Sequence, residues 1–410
     1  MIKKIRVPQL RVGMYVCDFN AGWLEHPFLT NSMALESDDQ VAKVVEAGIR
    51  EVYIDTDRGL DVEDAPTAAE ARLATESALA QLAATPAPSP RESLPPPSSL
   101  AEELSRVRNT FGETSRAVRR ILEDVRLGRQ IEMEAVEPVV ERITSSVLRN
   151  SNAMLTLRRL QQRYDYIYLH SLGVCAMLTS FAKYLGEDLG DIYQMALGGL
   201  LLDIGVMRLN PEILNKPGKL SGEEFRHVRS HVLLGADLLR QLQGIPTLAL
   251  QILEQHHERQ DGSGYPRGLS GDAISRAGRM AAIVDVYDAI TSDRVYHPRL
   301  DPASAIRKLF DWSRFQFDSE LTQAFIRSVG IYPVGTLVRL ESGRLGIVTA
   351  QREKSLLQPV VRVIFDTRRN YYLPPTDVDL SRPLGQGGGD RIVGNESPVQ
   401  WGIEVQRFLL

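Results

Sequence analysis

The alternation of apolar and polar positions divides the chain into unlike parts. In residues 1–66, Ile5-Arg6-Val7, the stretch 13–17 and the stretch 51–55 are short strand-like runs. Between them, 40–47 carries apolar residues at helical spacing (Val41, Val44, Val45, Ala47), with Gly48 as the stop. This part is predicted to be a small α+β domain. Residues 67–99 read as a linker. Its first half, 67–84, is Ala-rich and compatible with helix, whereas 85–99 (TPAPSPRESLPPPSS) is too Pro-dense to pack as helix or strand.

From 100 to 332 the spacing is helical almost throughout. Val118, Ile121, Leu122 and Val125 form one stripe. The stretch 166–185 predicts a long apolar helix carrying His170, and 195–204 a buried helix bearing Asp203. After a loop at 215–219, Ser221 and Glu224 make a capping box. The stretch 276–292 predicts a further helix, apolar apart from Asp285 and Asp288. Residues 333–410 change character: 336–340, 345–348 and 360–365 read as three strands, with a hairpin turn at 341–344. The Gly-rich stretch 385–394 reads as a flexible tail segment. No internal repeat is evident.

A chain of 410 residues is long enough for two or three domains. With 48 basic and 52 acidic residues, a net charge of −4 argues against DNA or membrane-surface binding. No run reaches the roughly 18 apolar residues of a membrane span, and the start MIKKIRVPQLRVG lacks the apolar stretch of a signal peptide. Cys17 and Cys175 are expected to be free thiols in a reducing compartment. The expectation is a cytoplasmic protein.

The chemistry concentrates in His256-His257-Glu258-Arg259-Gln260-Asp261-Gly262-Ser263-Gly264-Tyr265-Pro266. Imidazole is the commonest neutral metal ligand, and adjacent side chains leaving a helix point about 100° apart. His170, Asp203, His231 and Asp285 also stand at apolar helix positions or helix ends. Each alone has an ordinary explanation as a hydrogen-bonded core residue or a cap. Together they are harder to dismiss, because ionised carboxylates are almost never buried unpaired and a metal cluster would compensate them. Mixed His and Asp ligands suit Zn, Mn or Fe. His227, beside Glu224 and Arg226, reads as part of a solvated face. His26 and His297 read as surface residues, and GQGGGD lacks the Gly-Lys-Ser/Thr ending of a P-loop.

This set resembles the HD-GYP family, cyclic di-GMP phosphodiesterases of the HD metal-hydrolase superfamily. His170 matches the family's first His and His231 its single His. His256 and His257 with DGSGYP match its His pair and loop, and Asp285 its final Asp. The resemblance is strongest over about 160–330, and residues 1–66 look like the small uncharacterised domain that often precedes such domains. It implies a mainly α fold, with an HD-type helical domain, a small N-terminal α+β domain and a short β-rich C-terminal extension. It also implies one or two divalent metals held by His170, Asp203, His231, His256, His257 and Asp285, with Asp203 shared and catalytic. Arg294 and Tyr296 fall in the family's Arg-Pro-Tyr segment and are implied ligand contacts. The implied partners are cyclic di-GMP, diguanylate cyclase domains at the GYP loop, and a second copy in a homodimer.

The chain departs from the family at one place. Where the family reads His-Asp-Ile-Gly-Lys, this sequence reads Leu202-Asp203-Ile204-Gly205-Val206. An imidazole and a phosphate-side lysine are missing, and Tyr166 stands where trinuclear relatives have a Glu. The intact ligands support metal-dependent hydrolysis of cyclic di-GMP. Leu202 and Val206 support weakened turnover, or a receptor or scaffold without turnover.

Overall fold

The computed structural model describes residues 1–21, 28, 31–84, 95–159, 166–214, 216, 220–292, 299–352, 355–384 and 388–409. The N-terminal sheet contains β1 (Ile2–Arg6), β2 (Tyr15–Asp18), β3 (Met33–Ala34) and β4 (Glu51–Asp55), antiparallel in the order β1-β4-β2-β3. Helix α1 (Asp38–Glu46) covers it, burying Val44 against Ile5, Val16, Val52 and Ile54. The first strand begins earlier than its apolar run suggested, because Lys3 and Lys4 are buried with acidic partners. It ends at Arg6, where Val7–Gln9 form a 3-10 turn around Pro8.

The Ala-rich stretch is helix α2 (Ala68–Ala83), begun by a capping box of Thr67 and Glu70. Its Leu79 and Leu82 enter the core of the helical region. Residues 85–94 lie outside the described residues. Ser99 then caps α3 (Leu100–Arg126).

The helices that follow are α4 (Met133–Arg149), α5 (Ser151–Arg159), α6 (Tyr166–Leu185), α7 (Leu189–Leu201), α8 (Pro211–Leu214), α9 (Gly222–Arg229), α10 (His231–Arg240), α11 (Thr247–Gln255), α12 (Arg276–Thr291), α13 (Pro302–Trp312) and α14 (Ser319–Val329). Two apolar clusters organise them. One joins α6, α12, α13 and α14 through residues such as Val174, Phe181, Met280, Leu309 and Phe325. The other joins α3, α4, α7 and α11 through residues such as Leu122, Val140, Leu197 and Leu253. Helices α6 and α7 contribute to both, so the central pair is apolar on more than one face. The stretch Leu189–Arg208 is therefore long and apolar enough to cross a membrane by length and composition alone, but 61% of its most apolar window is buried inside the fold, as in a core helix.

The helix expected over 195–204 ends at Leu201, and Ile204–Arg208 continue as a 3-10 turn. Gly205 makes that turn possible. A Cβ there would lie 1.9 Å from His231 O and 2.5 Å from Gly235 N, so only glycine lets the turn lie against α10.

Among the described residues the C-terminal region has five strands rather than three: β5 (Leu337–Leu340), β6 (Arg344–Ala350), β7 (Val360–Asp366), β8 (Tyr371–Asp379) and β9 (Ile392–Asn395), in the order β8-β7-β6-β5-β9. Strand β8 contains Pro374 and Pro375, which obscured it in sequence; as an edge strand it tolerates them. Strand β9 lies within the stretch expected to be flexible, yet pairs with β5. Residues 385–387 lie outside the described residues.

A buried ion pair fastens α3 to α4. Glu103 is fully buried and accepts from Arg149 Nε (2.9 Å), Arg149 Nη2 (2.8 Å) and Ser98 Oγ (3.0 Å). Burial alone would raise this carboxyl. The hydrogen bonds from Arg149 and Ser98 and the Arg149 charge outweigh it and hold the pKa at about 2, below the ordinary 4.5. A depressed carboxyl contributes stability that is complete above about pH 4.5 and lost as pH falls toward 2. Glu103→Gln is therefore expected to destabilise the fold by about 2–3 kcal/mol at neutral pH. Denaturant titrations at neutral pH and near pH 3 check this: the gap between variant and parent should narrow in acid.

Candidate metal centre

The site residues come from five pieces of chain whose helices pack together. His170 lies in the first turns of α6 and Asp285 in mid-α12. Asp203 sits just past the end of α7, and His231 opens α10. His256 and His257 follow the last residue of α11. Helix ends leave backbone groups unpaired, and the structure uses them. His231 Nδ1 lies 2.8 Å from Val228 O, and His256 Nδ1 lies 2.8 Å from Leu253 O. A carbonyl only accepts, so in both rings Nδ1 carries the proton and donates.

That tautomer leaves Nε2 with its lone pair facing inward. Nε2 of His231 and of His256 are both buried without a hydrogen-bond partner. They lie 3.2 and 3.7 Å from Asp203 Oδ1. His257 joins them: one ligand atom from each of Asp203, His231, His256 and His257 lies within 4.8 Å of all the others. The second oxygen, Asp203 Oδ2, is 3.4 Å from His170 Nε2, which is itself 3.0 Å from Asp285 Oδ1. Asp285 Oδ2 faces His257 Nδ1 at 3.8 Å. All six sequence-selected His and Asp residues are thus brought together, with the Asp203 carboxylate between its two halves.

Charge within the site is tightly balanced. Burial would raise the Asp203 carboxyl. Where no cation lies between it and the facing rings, a proton carried toward it by His231 and His256 outweighs burial and holds it well below the usual carboxylate range; His231 is raised by the same pairing, against its own burial. Asp285 is lowered for a similar reason, with His170 opposing burial. His257 goes the other way: burial and the neighbouring His256, His231 and Arg259 push its pKa well down, so the ring is neutral. Carboxylates facing imidazole lone pairs repel unless a proton or a cation lies between them. A neutral His257, two Nδ1-protonated rings with unpartnered Nε2 atoms and an ionised carboxylate are a donor set that fits a divalent cation. The structure therefore holds a possible metal-binding cluster.

Other side chains hold this set in place. His170 Nδ1 lies 2.7 Å from Asp288 Oδ2, a carboxylate behind a ligand-type ring. Tyr166 stacks on His170 with ring centroids 5.4 Å apart. Tyr265 stacks on His257 at 4.5 Å and in turn carries the Arg229 guanidinium 4.6 Å from its ring centroid. Glu258, almost fully buried, accepts from the N–H groups of Arg267 and Leu269, each at 2.8 Å, and so closes the Gly-rich loop. Sequence reading passed over Glu258, Arg229 and the stacking roles of Tyr166 and Tyr265. A carboxylate placed just after two histidines and before a Gly-rich turn was the available signal for Glu258.

Leu202 is fully buried, in the apolar cluster that also holds Val174, Ile252 and Ala281. Val206 packs against the other cluster. His227 is exposed and accepts a hydrogen bond from the Asn210 N–H at 3.5 Å. Arg294, Tyr296, His26 and His297 lie outside the described residues.

Residues 2–136 match a domain of unknown function (DUF3391), and residues 139–321 match the HD domain. The chain is 41% identical over 402 residues to the cyclic di-GMP phosphodiesterase PA4108 of Pseudomonas aeruginosa, covering 98% of this chain and 94% of that one. It is 39% identical over 132 residues to a cyclic di-GMP phosphodiesterase of Vibrio cholerae, covering 31% of this chain and 27% of that one. Among solved structures it is similar to Bd1817, an HDG"Y"P protein from Bdellovibrio bacteriovorus, with a TM-score of 0.45, 18% identity and coverage of 79% and 98%. With 41% identity over nearly the full length of such a relative, the His and Asp set and the Gly-Tyr-Pro loop, the chain belongs to the HD-GYP family.

Proposed function

We propose that this chain hydrolyses cyclic di-GMP in a metal-dependent reaction. The observation that carries the proposal is the Asp203 carboxylate, whose Oδ1 faces the unpartnered Nε2 atoms of His231 and His256 while Oδ2 faces His170. A carboxylate in that position can serve two cation sites. One would draw on His170, Asp203 and Asp285, the other on Asp203, His231, His256 and His257. The ligand chemistry suits Fe, Mn or Zn. When bound, such ions supply Lewis acidity toward phosphoryl oxygens and toward water.

The protein's own groups prepare the site for that chemistry. Asp203 and Asp285 stay ionised, each held so by facing imidazoles. The carbonyls of Val228 and Leu253 fix two ring orientations, and Asp288 fixes a third. Tyr265 lies over His257 and shields that ring from water. Arg294 and Tyr296 are proposed to contact the phosphate and the nucleotide, with Arg294 suited to bidentate pairing. The free thiols of Cys17 and Cys175 support a reducing, cytoplasmic setting.

Purified protein supplied with Mn or Fe should release linear dinucleotide or mononucleotide from cyclic di-GMP and stop when the metal is chelated. Metal-loaded protein that binds the nucleotide without product would overturn the hydrolytic reading in favour of a receptor. His257→Ala is expected to lower bound metal and, because ligand binding to the native state adds stability, to lower Tm by about 4–10 °C. Elemental analysis and calorimetry of the same preparations check this.

Leu202→His tests the departure from the family. With metal supplied, it should raise metal occupancy, and adding Val206→Lys should raise hydrolysis further through phosphate-side charge. Without metal, the imidazole would enter an apolar wall and destabilise the fold by about 1–3 kcal/mol. A folded, metal-loaded double variant that hydrolyses no faster than the parent would show that these two positions do not limit turnover.

A further inference from the structure

The N-terminal domain rests on the metal-bearing loop. Arg50 Nε donates to Asp261 Oδ2 at 3.1 Å, across 211 residues of sequence. Asp261 Oδ1 accepts from Ser263 N (3.0 Å) and Ser263 Oγ (2.6 Å), so one carboxylate folds the loop tip and receives the other domain. Gly48 lies flat against the same tip. Its φ is +72°, and a Cβ there would sit 2.9 Å from Ser263 Cβ.

A second, buried attachment stands behind this one. Lys4 is 7% exposed and lies between Glu51 (2.7 Å) and Asp311 of α13 (3.2 Å). Asp311 also accepts from Thr75 of α2 at 2.7 Å, and the adjacent Trp312 donates its indole N–H to Asn20 O at 2.7 Å. A buried lysine shared by two carboxylates fixes a docking geometry far better than exposed pairs do. The segment leaving α13 then returns to the loop. Gln316 O accepts from Gln260 N at 2.8 Å, and Phe317 lies under Arg259, which donates to His256 O and Glu258 O.

From these contacts we infer that the N-terminal domain is a positioning element of the site: anchored on α13 by Lys4, it holds the Asp261–Ser263 tip with Arg50 and Gly48 and so sets the loop that carries His256, His257 and Tyr265. This gives a role to the domain of unknown function, and its catalytic consequence rests on the hydrolytic reading above. A partner docked on this loop, a diguanylate cyclase domain included, has to share the tip with Gly48 and Arg50.

The test uses the full chain and reads amide hydrogen exchange. In Arg50→Glu, exchange across 258–270 should quicken by about three- to tenfold, as expected for losing an exposed pair and adding like-charge repulsion. Exchange in α6 and α12 should not change. Gly48→Val should quicken the same amides through the clash with Ser263. Arg50→Lys, which keeps a cation facing Asp261 and leaves the Asp261–Ser263 hydrogen bonds intact, should retain the protection that Arg50→Glu loses. With cyclic di-GMP as substrate, Arg50→Glu should raise KM more than it lowers kcat. Loop exchange unchanged in both Arg50→Glu and Gly48→Val overturns the positioning role, whether or not the parent hydrolyses the nucleotide. Loop exchange that responds in a parent without turnover upholds it and counts only against the hydrolytic reading.

Discussion

Everything around the site follows from placing the Asp203 carboxylate among imidazoles that cannot all be charged. An ionised carboxylate away from water needs compensation, and lone pairs aimed at it add to the need. The fold meets this by fixing the rings of His170, His231 and His256 from behind with a carbonyl or a carboxylate and stacking Tyr265 on His257, so that the inward atoms keep their direction before any cation arrives. The glycine at 205 belongs to the same constraint. It allows the turn that carries Asp203 to lie directly against the backbone that carries His231.

Much of the helical region was legible because its signals are local. Charged residues at otherwise apolar helix positions marked Asp203 and Asp285, and the His pair followed by Asp-Gly-Ser-Gly marked the loop. The capping box at Ser221 is equally local. What stayed hidden depends on distant partners. Lys3 and Lys4 fall outside the strand-like run at 5–7, yet each is buried because an acidic group from elsewhere in the chain meets it. Strand β9 could not be read from four residues in a Gly-rich stretch, since its identity comes from pairing with β5.

The Gly-rich loop shows both kinds of information at once. Its turns follow from its own glycines and from the buried Glu258, which draws in the N–H groups of Arg267 and Leu269. Its outer tip is met by Arg50 and Gly48, residues that belong to a different sheet-bearing domain. A motif can therefore be recognised from sequence while the surface that confines it is not.

The leucine at 202 has a consequence for the order of events in the cell. An imidazole at that position depends on metal to satisfy it, and so ties folding to metal supply. A fully buried leucine contributes about 1.5–3 kcal/mol of apolar burial whether metal is present or not. The helical core can thus be completed on synthesis whether or not the site is loaded, so a pool of folded, unloaded protein can wait for a divalent cation to become available.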